Sequence, residues 1–145
     1  MYKHLLIATD GSDLAKKAAE QGLALAKALG AKVTAVTVTE PWDAVVVAEA
    51  AVVFSPDHYD ESVAASAASI LRGVSEAAAR HGVSCETLHV KDQFPSEGIV
   101  ETAKHLGCDL IVMASHGRRG VARLLLGSQA NKVLTHTTIP VLICR

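Results

Sequence analysis

Asp109-Leu110-Ile111-Val112-Met113-Ala114-Ser115-His116-Gly117-Arg118-Arg119-Gly120, continued by Leu126-Gly127-Ser128, is the stretch that decides how this chain is read. Residues 109–113 form an apolar run of the kind expected for a strand buried on both faces. Small residues, glycines and two arginines follow. After three leucines, Gly127-Ser128 leads into a helical pattern carrying Ala130, Val133 and Leu134. A glycine-rich turn between a strand and a helix lets backbone N–H groups come close to a phosphate, and the helix start adds partial positive charge. Ser128 is suited to cap that helix, and Arg118 and Arg119 to add charge-assisted hydrogen bonds. The same residues also read as a mobile basic surface loop before an ordinary capped helix, because short glycine spacings are weak motifs. His116 invites a general-base reading, but no catalytic partner lies near it in sequence, which favours a positional role.

Working outward, the same alternation recurs. Residues 4–9 are a continuous apolar run that ends at the turn Asp10-Gly11-Ser12, and Ser12 or Asp13 can cap the following helix. Leu14, Ala18, Gly22, Leu25 and Leu29 give that helix an apolar face, and Gly30 ends it. Residues 32–39 read as a second strand, broken by Glu40-Pro41-Trp42. Residues 44–54 are apolar without clear period and read as a lid, an irregular helix or part of a partner interface. Ser55-Pro56-Asp57 starts a long helix with Val63, Ala67, Ile70, Val74 and Ala77 on one face, stopped near Gly82. Residues 83–90 read as a third strand, and Phe94-Pro95-Ser96 opens a shorter helix closed by Gly107. Residues 141–144 read as a last strand. The order β-α-β-α-β-α-β-α-β calls for one α/β domain over residues 1–145: an open, parallel five-stranded sheet with helices on both faces. Ligands of such sheets bind outside the carboxyl ends of the strands. The turns at Thr9-Asp10-Gly11, at Thr39-Glu40 and over residues 114–120 all open there, which favours the phosphate reading. Asp10 is either an Asx-turn residue or a ligand to ribose or Mg²⁺.

The chain has 145 residues, half of them hydrophobic but only 3% aromatic. Alanine and valine must therefore build much of the core. A formal net charge of −1 gives no global field for nucleic acid or membrane. The three cysteines lack CxxC spacing, and the seven histidines lack a metal-ligand pattern. No apolar run reaches the roughly 18 residues of a membrane span, and the first residues lack a signal-peptide layout, so a cytoplasmic protein is expected.

The opening strand ending in Thr9-Asp10-Gly11-Ser12, the strand 109–113, Ser115-His116-Gly117, Leu126-Gly127-Ser128 and Ile139-Pro140-Val141-Leu142 together resemble the universal stress protein family over essentially the full chain. Its ATP-binding members carry glycine, two residues, glycine, nine residues, glycine and then serine or threonine. Here Gly117, Gly127 and Ser128 fill the later positions, while Ala114 stands in place of the first glycine. The resemblance implies strand order 3-2-1-4-5 and an adenine-nucleotide site. It puts Asp10 at the ribose and phosphate end, Val38 at the adenine, and phosphates on His116-Gly117-Arg118 and on Gly127-Ser128-Gln129. Thr9, Met113, Ser115 and Gly120 complete the implied binding set. ATP, with Mg²⁺ held in part by Asp10, is the implied ligand. A dimeric regulator of the stress response, paired through the edge strand at 140–144, is the implied function.

Three other readings compete. Ala114 favours an interaction module that has lost nucleotide binding. A slow ATP-hydrolysing enzyme is the second, although no activated nucleophile or paired acid and base is visible. RNA binding through Gly117-Arg118-Arg119-Gly120, as in KH domains, is disfavoured because that loop follows a strand here.

Overall fold

The computed structural model describes residues 1–49, 55–118 and 125–145. Its centre is β1 (His4–Ala8), whose Leu5, Leu6 and Ile7 are fully buried. Because successive side chains of a strand point to opposite faces, this single apolar run feeds two cores. Leu5 and Ile7 pack into one core cluster, and Leu6 and Ala8 into the other. The strand β4 (Leu110–Ala114) divides in the same way, with Leu110, Val112 and Ala114 on one side and Ile111 and Met113 on the other. With β2 (Lys32–Val38), β3 (Cys85–Val90) and β5 (Val141–Cys144), they form one parallel sheet in the order 3-2-1-4-5.

Helices α1 (Asp13–Leu29) and α3 (Pro56–His81) cover the first face. Ser12 caps α1 by accepting from the Ala15 N–H, and Ser55 caps α3 from the His58 N–H, with Pro56 in the first turn as the sequence indicates. The buried face of α1 is only partly the expected one: Ala18 and Gly22 are on it, and Leu14 and Leu25 pack at its edge. It consists of Ala15, Ala18, Ala19, Gly22, Leu23 and Ala26, while Leu29 is 38% exposed. The reason is close approach: a Cβ on Gly22 would sit 2.9 Å from Ile7 Cδ1, so the helix lays mainly small side chains, with Leu23, on the sheet, while Leu14 and Leu25 are half-buried against the same cluster. In α3 the buried face runs through Ala67, Leu71, Val74, Ala77 and Ala78, with Val63 and Ile70 only half-buried.

Helices α4 (Pro95–His105) and α5 (Ser128–His136) supply the second face, where Val100, Ala103 and Val133 pack over Leu6, Val36 and Ile111. The first part of the segment 44–54, read as without clear period, falls in a helix, α2 (Trp42–Glu49); residues 50–54 lie outside the described residues. Residues 119–124, and with them the arginine and glycine at 119 and 120, are likewise outside. No described helix is long and apolar enough to cross a membrane.

Candidate functional site

Every βα junction of a parallel sheet emerges at the carboxyl edge. Here the junctions after β1, β2, β3 and β4 surround one cavity of about 510 Å³, within the range of small-molecule sites. Of the residues singled out from sequence, Thr9, Asp10, Val38, Met113, Ser115, His116, Gly117, Arg118, Gly127, Ser128 and Gln129 all line it. Gly120 lies outside the described residues. Glu40, Pro95 and Ile99 also line the cavity but were not singled out. Their signal was available, since Thr39-Glu40 and Phe94-Pro95 each follow a strand on its way to this edge.

Asp10 joins two of the loops. One carboxylate oxygen accepts from the Ser12 N–H at 2.9 Å, an Asx turn; the other accepts from the Arg118 N–H at 2.9 Å. The turn reading is therefore correct, and the same carboxylate also holds the loop after β4. Gly117 is needed beside it, because a Cβ there would come within 2.7 Å of Asp10 Oδ2. Thr9 Oγ1 accepts from the Gly11 N–H, closing the turn from below.

The loop after β4 is pinned at both ends. The Ser115 N–H donates to the Cys144 carbonyl at 2.8 Å, and the Gly127 N–H donates to the Ser115 carbonyl at 2.7 Å. A Cβ on Gly127 would lie 2.9 Å from that carbonyl oxygen, so a glycine is required for the approach. This contact also corrects the expected cap. Gly127, not Ser128, is the N-cap of α5, and no side chain caps it; Ser128 is the first helical residue. The start of α5 thus faces the cavity with backbone groups that a side-chain oxygen does not occupy, the usual setting for an anion.

His116 Nδ1 lies 3.0 Å from Ser115 Oγ, while its buried Nε2 has no hydrogen-bond partner among the described residues. A serine beside an imidazole resembles a nucleophile with its base, but Ser115, although it lines the cavity, is only 2% exposed. Ala114 ends β4, belongs to the core cluster beneath α1 and α3, and also lines the cavity. At the far rim, the Tyr59 hydroxyl donates to the Glu40 carbonyl at 2.8 Å, and Thr39 Oγ1 lies 2.9 Å from His89 Nε2. Burial, with Lys91 adding to it, holds the His89 imidazole below its ordinary value. Among the described residues, no group of three His, Cys, Asp or Glu is placed to hold a metal ion.

This arrangement is matched closely among known proteins. The model of the Universal stress protein family matches residues 1–145. The chain belongs to the universal stress protein family. Universal stress protein YxiE of Bacillus subtilis is 36% identical over the whole of both chains. Among solved structures, that of the protein MJ0577 superposes with a TM-score of 0.84 at 26% identity, covering 99% of this chain and 96% of that one. A universal stress protein solved in complex with cAMP superposes with a TM-score of 0.69 at 27% identity, covering 98% of this chain and 95% of that one.

Proposed function

We propose that this universal stress protein binds an adenine nucleotide, ATP, at the carboxyl edge of its sheet, and acts as a dimeric regulator in the stress response. The observation that carries the reading is the convergence of Asp10, Val38, Gly117 and Gly127 on one cavity. The cAMP complex of a relative supports the adenine class. The phosphates go to the Gly117 loop and the open start of α5, where backbone N–H groups and the helix dipole favour anions. The base goes to the apolar end formed by Val38, Pro95 and Ile99. Mg²⁺ arrives on the phosphates, with the Asp10 carboxylate as one oxygen ligand, as such ions are usually held. Ala114, which stands where the family pattern has its first glycine, lines both the cavity and the core cluster, and alanine is the smallest side chain that position could carry in glycine's place.

Turnover is slow or absent in this reading. Ser115 is buried, and the imidazole of His116 is committed on one nitrogen to that serine. Phosphate release above about 1 per second, lost in Asp10→Ala, would contradict it.

Dimerisation is proposed through β5. It pairs with β4 on one side only, and Leu142 is 38% exposed on it. An unpaired apolar edge is a template for its own copy across a two-fold axis. Light scattering at tens of micromolar is expected to find a dimer for the wild type and a monomer for Leu142→Lys; a monomeric wild type would reject this edge. For the ligand, mass spectrometry of small molecules released from freshly purified protein is expected to find ATP, and recovery of a different ligand class would reject the reading.

A further inference from the structure

Helix α4 starts without a cap of its own: Phe94 occupies the N-cap and makes no side-chain hydrogen bond there. The N–H groups of a first helical turn need acceptors from elsewhere. One acceptor comes from another helix. Gln129, the second residue of α5, places its Oε1 3.2 Å from the Ser96 N–H. Only the oxygen of that amide can accept, so the bond also fixes which way the amide faces. Gln129 lines the cavity, and so do Pro95 and Ile99 from the first turns of α4. α4 is in turn set hard against β2, since a Cβ on Gly98 would lie 2.7 Å from Val38 Cγ1. A glycine inside a helix is less favourable than alanine, and here it permits the close approach to the strand. A shift of α4 therefore moves the Val38 wall with it.

Gln129 thus connects two walls of one cavity. One is the Gly127-Ser128 turn, which the nucleotide reading assigns to phosphates. The other is the Pro95, Ile99 and Val38 wall, which that reading assigns to the base. Resting on that reading, we infer that Gln129 is a positioning residue that locks the base wall to the phosphate turn. Base and phosphates are then held by one preorganised site rather than by two independent ones. Gln129 sits in the phosphate turn, yet its effect reaches the base through Ser96.

The test uses adenosine, which has no phosphate, beside ATP, with affinities from calorimetry on the wild type, Gln129→Leu and Gln129→Glu. Gln129→Leu removes the acceptor and is expected to weaken adenosine and ATP alike, by at least fivefold. Gln129→Glu keeps an oxygen for Ser96. It is expected to restore adenosine affinity to within twofold of wild type while ATP stays weakened by the added negative charge. Amide exchange at the start of α4 is expected to rise in Gln129→Leu and not in Gln129→Glu. If Gln129→Leu fails to fold, Gln129→Asn, one methylene too short to reach Ser96, is expected to show the same loss of adenosine affinity. Adenosine affinity unchanged in the variant lacking the acceptor would overturn the inference, whether ATP weakens, as a plain phosphate contact would give, or only thermal stability falls. A wild type that binds neither ligand would reject the nucleotide reading and this inference together, whereas a wild type that binds both beside an indifferent Gln129→Leu would reject the inference alone.

Discussion

The two ends of the sheet are built differently. At the amino end, polar groups are used up on one another. The Lys3 and His4 N–H groups donate to the two oxygens of Asp109, and buried His4 Nε2 lies 2.8 Å from Thr34 Oγ1. At the carboxyl end, polar groups hold loops around a cavity, and His116 Nε2 has no partner among the described residues. Buried polar groups normally find partners because an unmet one costs about 1–3 kcal/mol. The sheet thus satisfies its polar groups at one end and keeps open space at the other, where the ligand is proposed to bind.

If that division holds, changes at the carboxyl end cost binding and changes at the amino end cost stability. The largest effect is expected from Gly127→Val, whose side chain would collide with the Ser115 carbonyl and force the ends of the β4–α5 loop apart. ATP affinity should fall by about a hundredfold, about 2.7 kcal/mol, in calorimetry on a protein whose circular dichroism is unchanged. Retained affinity would detach the loop from the site. At the other end, Thr34→Val strips the partner from His4 and should lower unfolding free energy in urea by about 1–3 kcal/mol. ATP affinity should stay within about twofold; a larger change would show that the two ends are coupled. The smallest effect concerns protons. Burial and Lys32 hold His4 below the ordinary histidine value of 6.5. The unfolded chain therefore takes up its proton first, so this stability is complete above about pH 6.5 and is lost as pH falls through the folded value. Urea midpoints should decline from about pH 7 to pH 5, and His4→Gln should flatten that decline; an unchanged slope would assign it to other groups, His89 among them.

Much of this was legible in the sequence. Unbroken apolar runs marked β1 and β4 as central strands, and Gly30, Gly82 and Pro56 punctuated the helices where they end or begin. The family motif put eleven of the twelve named site residues around the cavity, with Gly120 outside the described residues. Other features depend on distances that periodicity does not carry. The face of α1 follows from how near Gly22 lies to Ile7, which favours alanines over the leucines that a hydrophobic pattern selects. The cap of α5 follows from the Gly127–Ser115 contact rather than from the capping preference of Ser128. The bond from Gln129 to Ser96 joins two helices 33 residues apart and leaves no local signature. Helix α2 carries its apolar residues 44–48 in unbroken succession between Asp43 and Glu49, so no helical period marks it.

The central claim is that the carboxyl edge is an ATP site built on the Gly117 loop. It is tested most directly by calorimetric titration of Mg²⁺-ATP into the wild type and into Gly117→Val, whose side chain would press on Asp10 Oδ2. One site per chain is expected in the wild type, and affinity weakened at least about tenfold in the variant, about 1.4 kcal/mol. A wild type that gives no binding at millimolar ATP, or a folded variant with unchanged affinity, would contradict it.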